Sequence, residues 1–182
     1  MHKVLIPLAQ GCEELEAVTI IDLLRRAEIT VVTAGLDSKP VTASRGTVII
    51  PDTDLESALL DDYDMIVLPG GLPGADHLDN DERIKNILIK MANSEKFTAA
   101  ICAAPKVLAN AGLLNNKKAT SYPGFLDDLN LESTEICNDA VITDGKVITS
   151  RGPGTAMDFA LTLIESLEGK EKRDEVEKGL VR

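Results

Sequence analysis

The chain has 182 residues, enough to bury a sizeable core, and no linker or low-complexity stretch divides it, so one domain over 1–182 is expected. Its 30 acidic residues outnumber 19 basic ones for a formal net charge of -11, with 3% aromatic residues and no Trp, which argues against a nucleic-acid binder needing a basic groove and stacking platforms. The opening apolar run, 4–9, is broken by Pro7 and too short for a signal peptide or membrane span, and Cys12, Cys102 and Cys137 lack the spacing of a disulfide framework or zinc site; reduced thiols, no metal, no membrane and a cytoplasmic location are expected.

Residues 3–9 read as a near-continuous apolar strand, the pattern of a strand buried on both faces. Gly11 releases it into a helix whose Leu15, Val18, Ile21 and Leu24 predict the apolar stripe. A β-branched strand follows at 29–34, ended by Gly35 and the turn-prone Asp37-Ser38-Lys39-Pro40, then a shorter one at 47–50 and a small helix at 55–60. The buried-looking strand 65–68 runs into Pro69-Gly70-Gly71-Leu72-Pro73-Gly74, a loop suited to close backbone approach. Helix 81–92 feeds a strand at 97–101, then Cys102, then a helix over 104–111 that stops at Gly112.

A strand is predicted at 118–121 and a short helix at 125–129. Segments 141–143 and 147–149 flank Asp144-Gly145-Lys146, a strong hairpin signal. Thr155 is expected to cap a helix through Phe159, Leu163 and Leu167, and Gly169 admits a charged C-terminal helical segment, 170–182, lying on the surface with Val176, Leu180 and Val181 as its apolar face. Alternating strands and helices imply an α/β fold with a mostly parallel sheet covered on both faces. Its functional groups belong beyond the strands' C-terminal ends, where Cys102, the glutamates 13–16 and Gly70-Gly71 all fall.

Cys102 stands on a strand-to-helix corner with small residues on both sides. A thiol there faces free backbone N–H groups of a helix start, as in a nucleophile elbow, although a buried structural cysteine fits the same local sequence. Glu13, Glu14 and Glu16 open the first helix, where carboxylates are favoured in any case; Glu13 and Glu16 share a face, and spacing does not choose which reaches the cysteine. An ionised glutamate beside the thiol raises its pKa. A protonated one donates its hydrogen to sulfur and favours thiolate, so the two titrate as a coupled pair. Gly70 and Gly71 could present N–H groups as an oxyanion hole or form an ordinary turn. Gly152-Pro153-Gly154-Thr155-Ala156-Met157 matches a dinucleotide fingerprint only in part, and no nucleotide is expected. His77, in the loop after Gly74, is a candidate base; Tyr122, Arg26, Arg45 and Arg151 are the remaining polar candidates.

Taken together, Gly11-Cys12-Glu13-Glu14-Leu15-Glu16, Ser44-Arg45-Gly46, Val67-Leu68-Pro69-Gly70-Gly71, Ala99-Ala100-Ile101-Cys102-Ala103-Ala104-Pro105 and Thr149-Ser150-Arg151-Gly152-Pro153-Gly154-Thr155 resemble the ThiJ/PfpI superfamily, nearest its DJ-one branch, across essentially the whole chain. The resemblance implies a flavodoxin-like three-layer sandwich, a homodimer, and an elbow cysteine, Cys102, partnered by the last glutamate of Gly-x-Glu-Glu-x-Glu, which is Glu16. It further implies cofactor-independent glyoxalase activity on methylglyoxal and glyoxal, or deglycase activity on early glycation adducts, in carbonyl and oxidative stress defence. In that chemistry a Cys102 thiolate attacks an aldehyde, N–H groups near Gly71 and Ala103 hold the oxyanion, and Glu16 shuttles the proton. By the same resemblance, Arg45 and Arg26 correspond to arginines that lie near the pocket and dimer interface in relatives.

Tyr122 replaces a histidine that some relatives carry before proline. Ala103 stands where protease members place histidine, which makes a protease-like hydrolase the weakest reading. The competing reading is a redox sensor or holdase in which Cys102 is oxidised to a sulfinic acid beside Glu16. Cys12, also at a strand exit, allows a Cys12–Cys102 disulfide under oxidation.

Overall fold

The computed structural model describes residues 2–182. β1 (Lys3–Leu8) runs into α1 (Glu14–Arg26), and β2 (Thr30–Gly35) follows. A separate antiparallel pair, β3 (Val41–Thr42) with β4 (Val48–Ile49), precedes β5 (Thr53–Asp54) and the single-turn α2 (Leu55–Ala58). β6 (Met65–Leu68) leads to α3 (Gly74–Asp79) and α4 (Glu82–Asn93), and β7 (Phe97–Ile101) leads through Cys102 to α5 (Pro105–Asn110). A short parallel pair, β8 (Lys118–Ala119) with β9 (Glu135–Ile136), comes before the hairpin β10 (Val141–Asp144) and β11 (Val147–Ser150). A 3-10 turn at Pro153–Thr155 opens α6 (Ala156–Glu168), and α7 (Lys170–Gly179) completes the chain.

The main sheet has seven strands in the order β10-β11-β7-β6-β1-β2-β5, and only the β10–β11 pairing is antiparallel. Side-chain alternation explains why the strands read as unbroken apolar runs. Val4, Ile6, Leu8, Val67 and Ile101 enter one core with Ile20 and Leu24 of α1 and Phe159 and Leu163 of α6. Leu5, Ile66, Leu68 and Ala100 enter a second with Ile84 and Leu88 of α4 and Leu108 of α5. The result is a three-layer, flavodoxin-like sandwich with a helix layer on each face.

The chain leaves β1 towards β2 on one side and later returns to its other side as β6. The strand order therefore reverses between β1 and β6, which opens a crevice at their C-terminal ends. The segments after β1, β6 and β7 converge there.

Several local expectations are corrected. The buried face of α1 is Glu16, Ala17, Ile20, Leu23 and Leu24, while Leu15 and Val18 are 51% and 49% exposed. Two apolar stripes one residue apart both satisfy helical periodicity, and the carboxyl of Glu16 masked the one that packs. Residues 125–129 form consecutive turns rather than a helix, braced by Gly124 N–H donating to Asp127 and by Leu126 anchored in the core. The Thr155 hydroxyl does not cap α6; it turns back to accept from the Gly152 N–H at 3.1 Å. The C-terminal segment is helical only over α7, whose Val176 is buried against the first core while Val181 is exposed.

Candidate active site

Cys102 joins β7 to α5 with φ of 65°, a left-handed conformation rarely adopted by a residue with a side chain. Neighbouring strand ends hold it there. Its N–H donates to Ser150 O at 3.0 Å, and its carbonyl accepts from Tyr122 N–H at 2.9 Å. Pro105 occupies the first turn of α5, and the amides that face the sulfur belong to Ala103 and to Gly71 rather than to the helix proper. Cys102 is 8% exposed, at the floor of a cavity of about 330 Å³.

Of the three glutamates, Glu16 is the one beside the sulfur. It is 0% exposed, Oε2 accepts from Gly70 N–H at 2.8 Å, and Oε1 is buried without a hydrogen-bond partner, while the carboxyl faces the Cys102 thiol. Burial pushes the Glu16 carboxyl up to about 7, helped by the Glu13 charge and opposed by the Gly70 N–H and the thiol. Burial, the Glu16 charge and the hydrogen bond to it push the Cys102 thiol up to about 12, against the Gly71 and Ala103 N–H groups. Above about pH 7 the two groups thus hold one proton between them, and below it two. The reactive thiolate is the tautomer in which Glu16 carries the single proton, and in that tautomer the Glu16 charge no longer opposes ionisation of the sulfur, leaving burial as the opposing effect.

Glu14 has a different task. Burial works against its charge, but N–H groups of its own helix start, Arg45 and Thr47, with the Ser44 hydroxyl, hold it down to about 2. It thereby clamps the turn at 44–47 onto α1. Glu13 lines the cavity and accepts from the Ser44 hydroxyl at 3.0 Å.

Glycine is required at 70 and 71 by close approach. A Cβ on Gly70 would lie 2.6 Å from Cys102 Cβ and 2.9 Å from Glu16 Oε2; one on Gly71, whose φ is +87°, would lie 2.3 Å from Glu13 N. Gly70 is not an oxyanion donor as expected from the sequence, because its N–H is spent on Glu16. The N–H groups of Gly71 and Ala103 face the Cys102 sulfur.

The other sequence candidates divide. Tyr122 and Arg45 line the cavity. Arg26 does not: it closes α1, where its Nε donates to Asp22 at 2.7 Å, about 15 Å along the helix axis from Glu16. His77 is carried away by α3 and lines a separate depression with Leu36, Asn80 and Asp81. Arg151 reaches the Asn138 carbonyl. Cys12 is a free thiol, 1% exposed and pushed up to about 12 by burial and the Glu14 charge. Leu72, Phe125 and Pro153 complete the cavity and had no sequence signal beyond adjacency to the glycine and proline loops. Among the described residues, no three His, Cys, Asp or Glu side chains gather as metal ligands, and no helix is long and apolar enough to cross a membrane.

Comparison with known proteins matches residues 2–166 to the DJ-1/PfpI family. The chain is 44% identical over 178 residues to Protein dj-1beta of Drosophila melanogaster, covering 97% of this chain and 95% of the fly protein. It is 34% identical over 177 residues to a Caenorhabditis elegans protein named glutathione-independent glyoxalase DJR-1.2, covering 97% and 94%. The crystal structure of Drosophila melanogaster DJ-1beta superposes with a TM-score of 0.94 at 43% identity, covering 99% of this chain and 97% of that one.

Proposed function

The chain belongs to the DJ-1/PfpI family, and we propose that it is a cysteine-dependent glyoxalase that converts small α-ketoaldehydes to hydroxy acids without a cofactor. The observation that carries this reading is the buried Glu16 carboxyl, held by the Gly70 N–H beside the Cys102 thiol at the floor of an open cavity. The naming of the worm relative as a glyoxalase supports the reaction class.

In the proposed sequence the Cys102 thiolate adds to the aldehyde carbon, and the new oxyanion is held by the Gly71 and Ala103 N–H groups. Glu16 protonates that oxygen to give a hemithioacetal. The carboxylate then takes the proton from the former aldehyde carbon and returns it to the ketone carbon, while the hemithioacetal hydroxyl proton passes to the ketone oxygen, leaving a thioester. Water cleaves the thioester, releasing the hydroxy acid and restoring the thiol; one water is consumed and no external oxidant or reductant is involved. In a ketoaldehyde already condensed with an amine, the amine leaves the same carbon as free amine before or as the thiolate adds, so early glycation adducts fall within the same proposal. The test is lactate formation from methylglyoxal by purified protein without glutathione, abolished in Cys102→Ala and Glu16→Gln. Absence of lactate from the wild-type protein overturns the proposal.

A second reading is favoured by the unpartnered Glu16 Oε1 and the two amides around the sulfur. The same groups suit the oxygens of a Cys102 sulfinic acid, which makes peroxide sensing the alternative. Selective oxidation of Cys102 with no ketoaldehyde turnover distinguishes it. Pairing of two copies through the outer face of α1 belongs to the same proposal, because Leu15 and Val18 are apolar and outward-facing.

A further inference from the structure

The cavity above Cys102 is larger than a three-carbon ketoaldehyde needs, and its rim differs in character from its floor. At about 330 Å³ it falls at the lower end of the 300–1,000 Å³ range of drug-sized sites. The floor is made by Cys102, Gly71 and Ala103, and the rim by Leu72, Tyr122, Phe125 and Pro153. Tyr122 and Phe125 pack edge to face, with ring centroids 6.2 Å apart and planes at 76°. Both rings have close neighbours. Tyr122 lies against Gly152, where an added Cβ would be 3.2 Å from the ring, and the Lys106 ammonium, itself paired with Asp76, sits 5.8 Å from the Phe125 centroid. The charges at the mouth, Glu13 and Arg45, are of opposite sign and give no net pull on an ionic tail.

We propose that the rim of Leu72, Tyr122 and Phe125 selects ketoaldehydes whose ketone carbon bears an aryl substituent. This rests on the glyoxalase reading above and specifies the substrate of the same site. A methyl substituent engages the floor and leaves the rim wet, whereas an aryl group displaces water from an apolar surface that is already formed. The chemistry is unchanged: an arylglyoxal and one water give the aryl hydroxy acid, as mandelate from phenylglyoxal.

The experiment measures kcat/KM for phenylglyoxal and methylglyoxal in the wild-type protein and in Phe125→Ala, Tyr122→Ala and Leu72→Ser. The ratio of the two within one protein cancels any loss of folded enzyme, and comparing that ratio between variants cancels the intrinsic reactivity of the substrates. Each substitution is expected to lower the phenylglyoxal-to-methylglyoxal ratio by roughly tenfold, the size of effect that a few buried carbons have on discrimination, and Phe125→Tyr to retain it. Leu72 lies in an exposed loop, so its variant keeps the test alive if an aromatic substitution impairs folding. A ratio unchanged in all three variants overturns the proposed selection while leaving the glyoxalase reading intact. Turnover of neither substrate by the wild-type protein overturns both.

Discussion

The Gly70 N–H donates to Glu16 Oε2 at 2.8 Å, so the backbone leaving one strand fixes the carboxyl that follows another. The carboxyl is thereby held against the Cys102 thiol, with its second oxygen buried and without a hydrogen-bond partner. Holding a carboxyl in this place works against stability, and the sign of that effect can be measured.

Glu16 is raised from 4.5 to about 7. A group whose folded pKa is raised contributes stability that is fully present below the unfolded value and lost as pH rises through the folded one; here the loss runs from about pH 4.5 to about pH 7 and amounts to about 3 kcal/mol. Glu16→Gln, a neutral mimic, is expected to resist denaturant better than the wild type at about pH 8, to converge with it near pH 4.5, and to be inactive. Denaturant titrations at several pH values check this, and parallel curves for the two proteins refute it.

The shared proton has a kinetic signature. Alkylation of Cys102 by iodoacetamide in the wild type should rise with an apparent pKa near 7, flatten, and rise again only towards about 12. Glu16→Gln should lose the plateau and titrate as a single group. A wild-type profile without an inflection near neutrality rules out the coupled pair.

Gly70→Ala tests the close approach. Its methyl carbon overlaps both Cys102 Cβ and Glu16 Oε2, and relief by backbone movement is expected to cost about 1–3 kcal/mol, as overpacking does elsewhere. The alkylation plateau should also disappear, because Glu16 and Cys102 no longer meet. Retention of both stability and plateau is inconsistent with the geometry described.

Pairing of copies predicts that Val18→Glu, a change on an exposed face, shifts the protein from dimer to monomer in sedimentation without altering its far-ultraviolet dichroism. A monomeric wild type disposes of that proposal.

Much of the fold was legible because buried parallel strands such as Met65–Leu68 announce themselves as apolar runs between glycines and helical periods. The elbow was legible for a related reason: the small residues around Cys102 and the Gly70-Gly71 pair are what tight approach requires. Three adjacent glutamates were not separable on spacing, since Glu14 and Glu16 differ only in whether the helix turns them to backbone amides at its start or into the crevice. His77 misled because closeness along the chain was taken for closeness in space, and α3 removes it; Arg26, put forward by correspondence to arginines of relatives, lies at the far end of α1 from the cavity. Leu72 and Phe125 could be recognised only once separate loops met across the cavity.

Glu16, Gly70 and Cys102 come from the exits of three strands, and no stretch of chain contains two of them as neighbours. In the unfolded polypeptide Cys102 is an ordinary thiol between isoleucine and alanine. Its chemical personality exists only while β1, β6 and β7 lie side by side, so the sulfur acts as a barometer of tertiary order. A local loosening of that seam would silence it without breaking a covalent bond, and re-annealing would restore it.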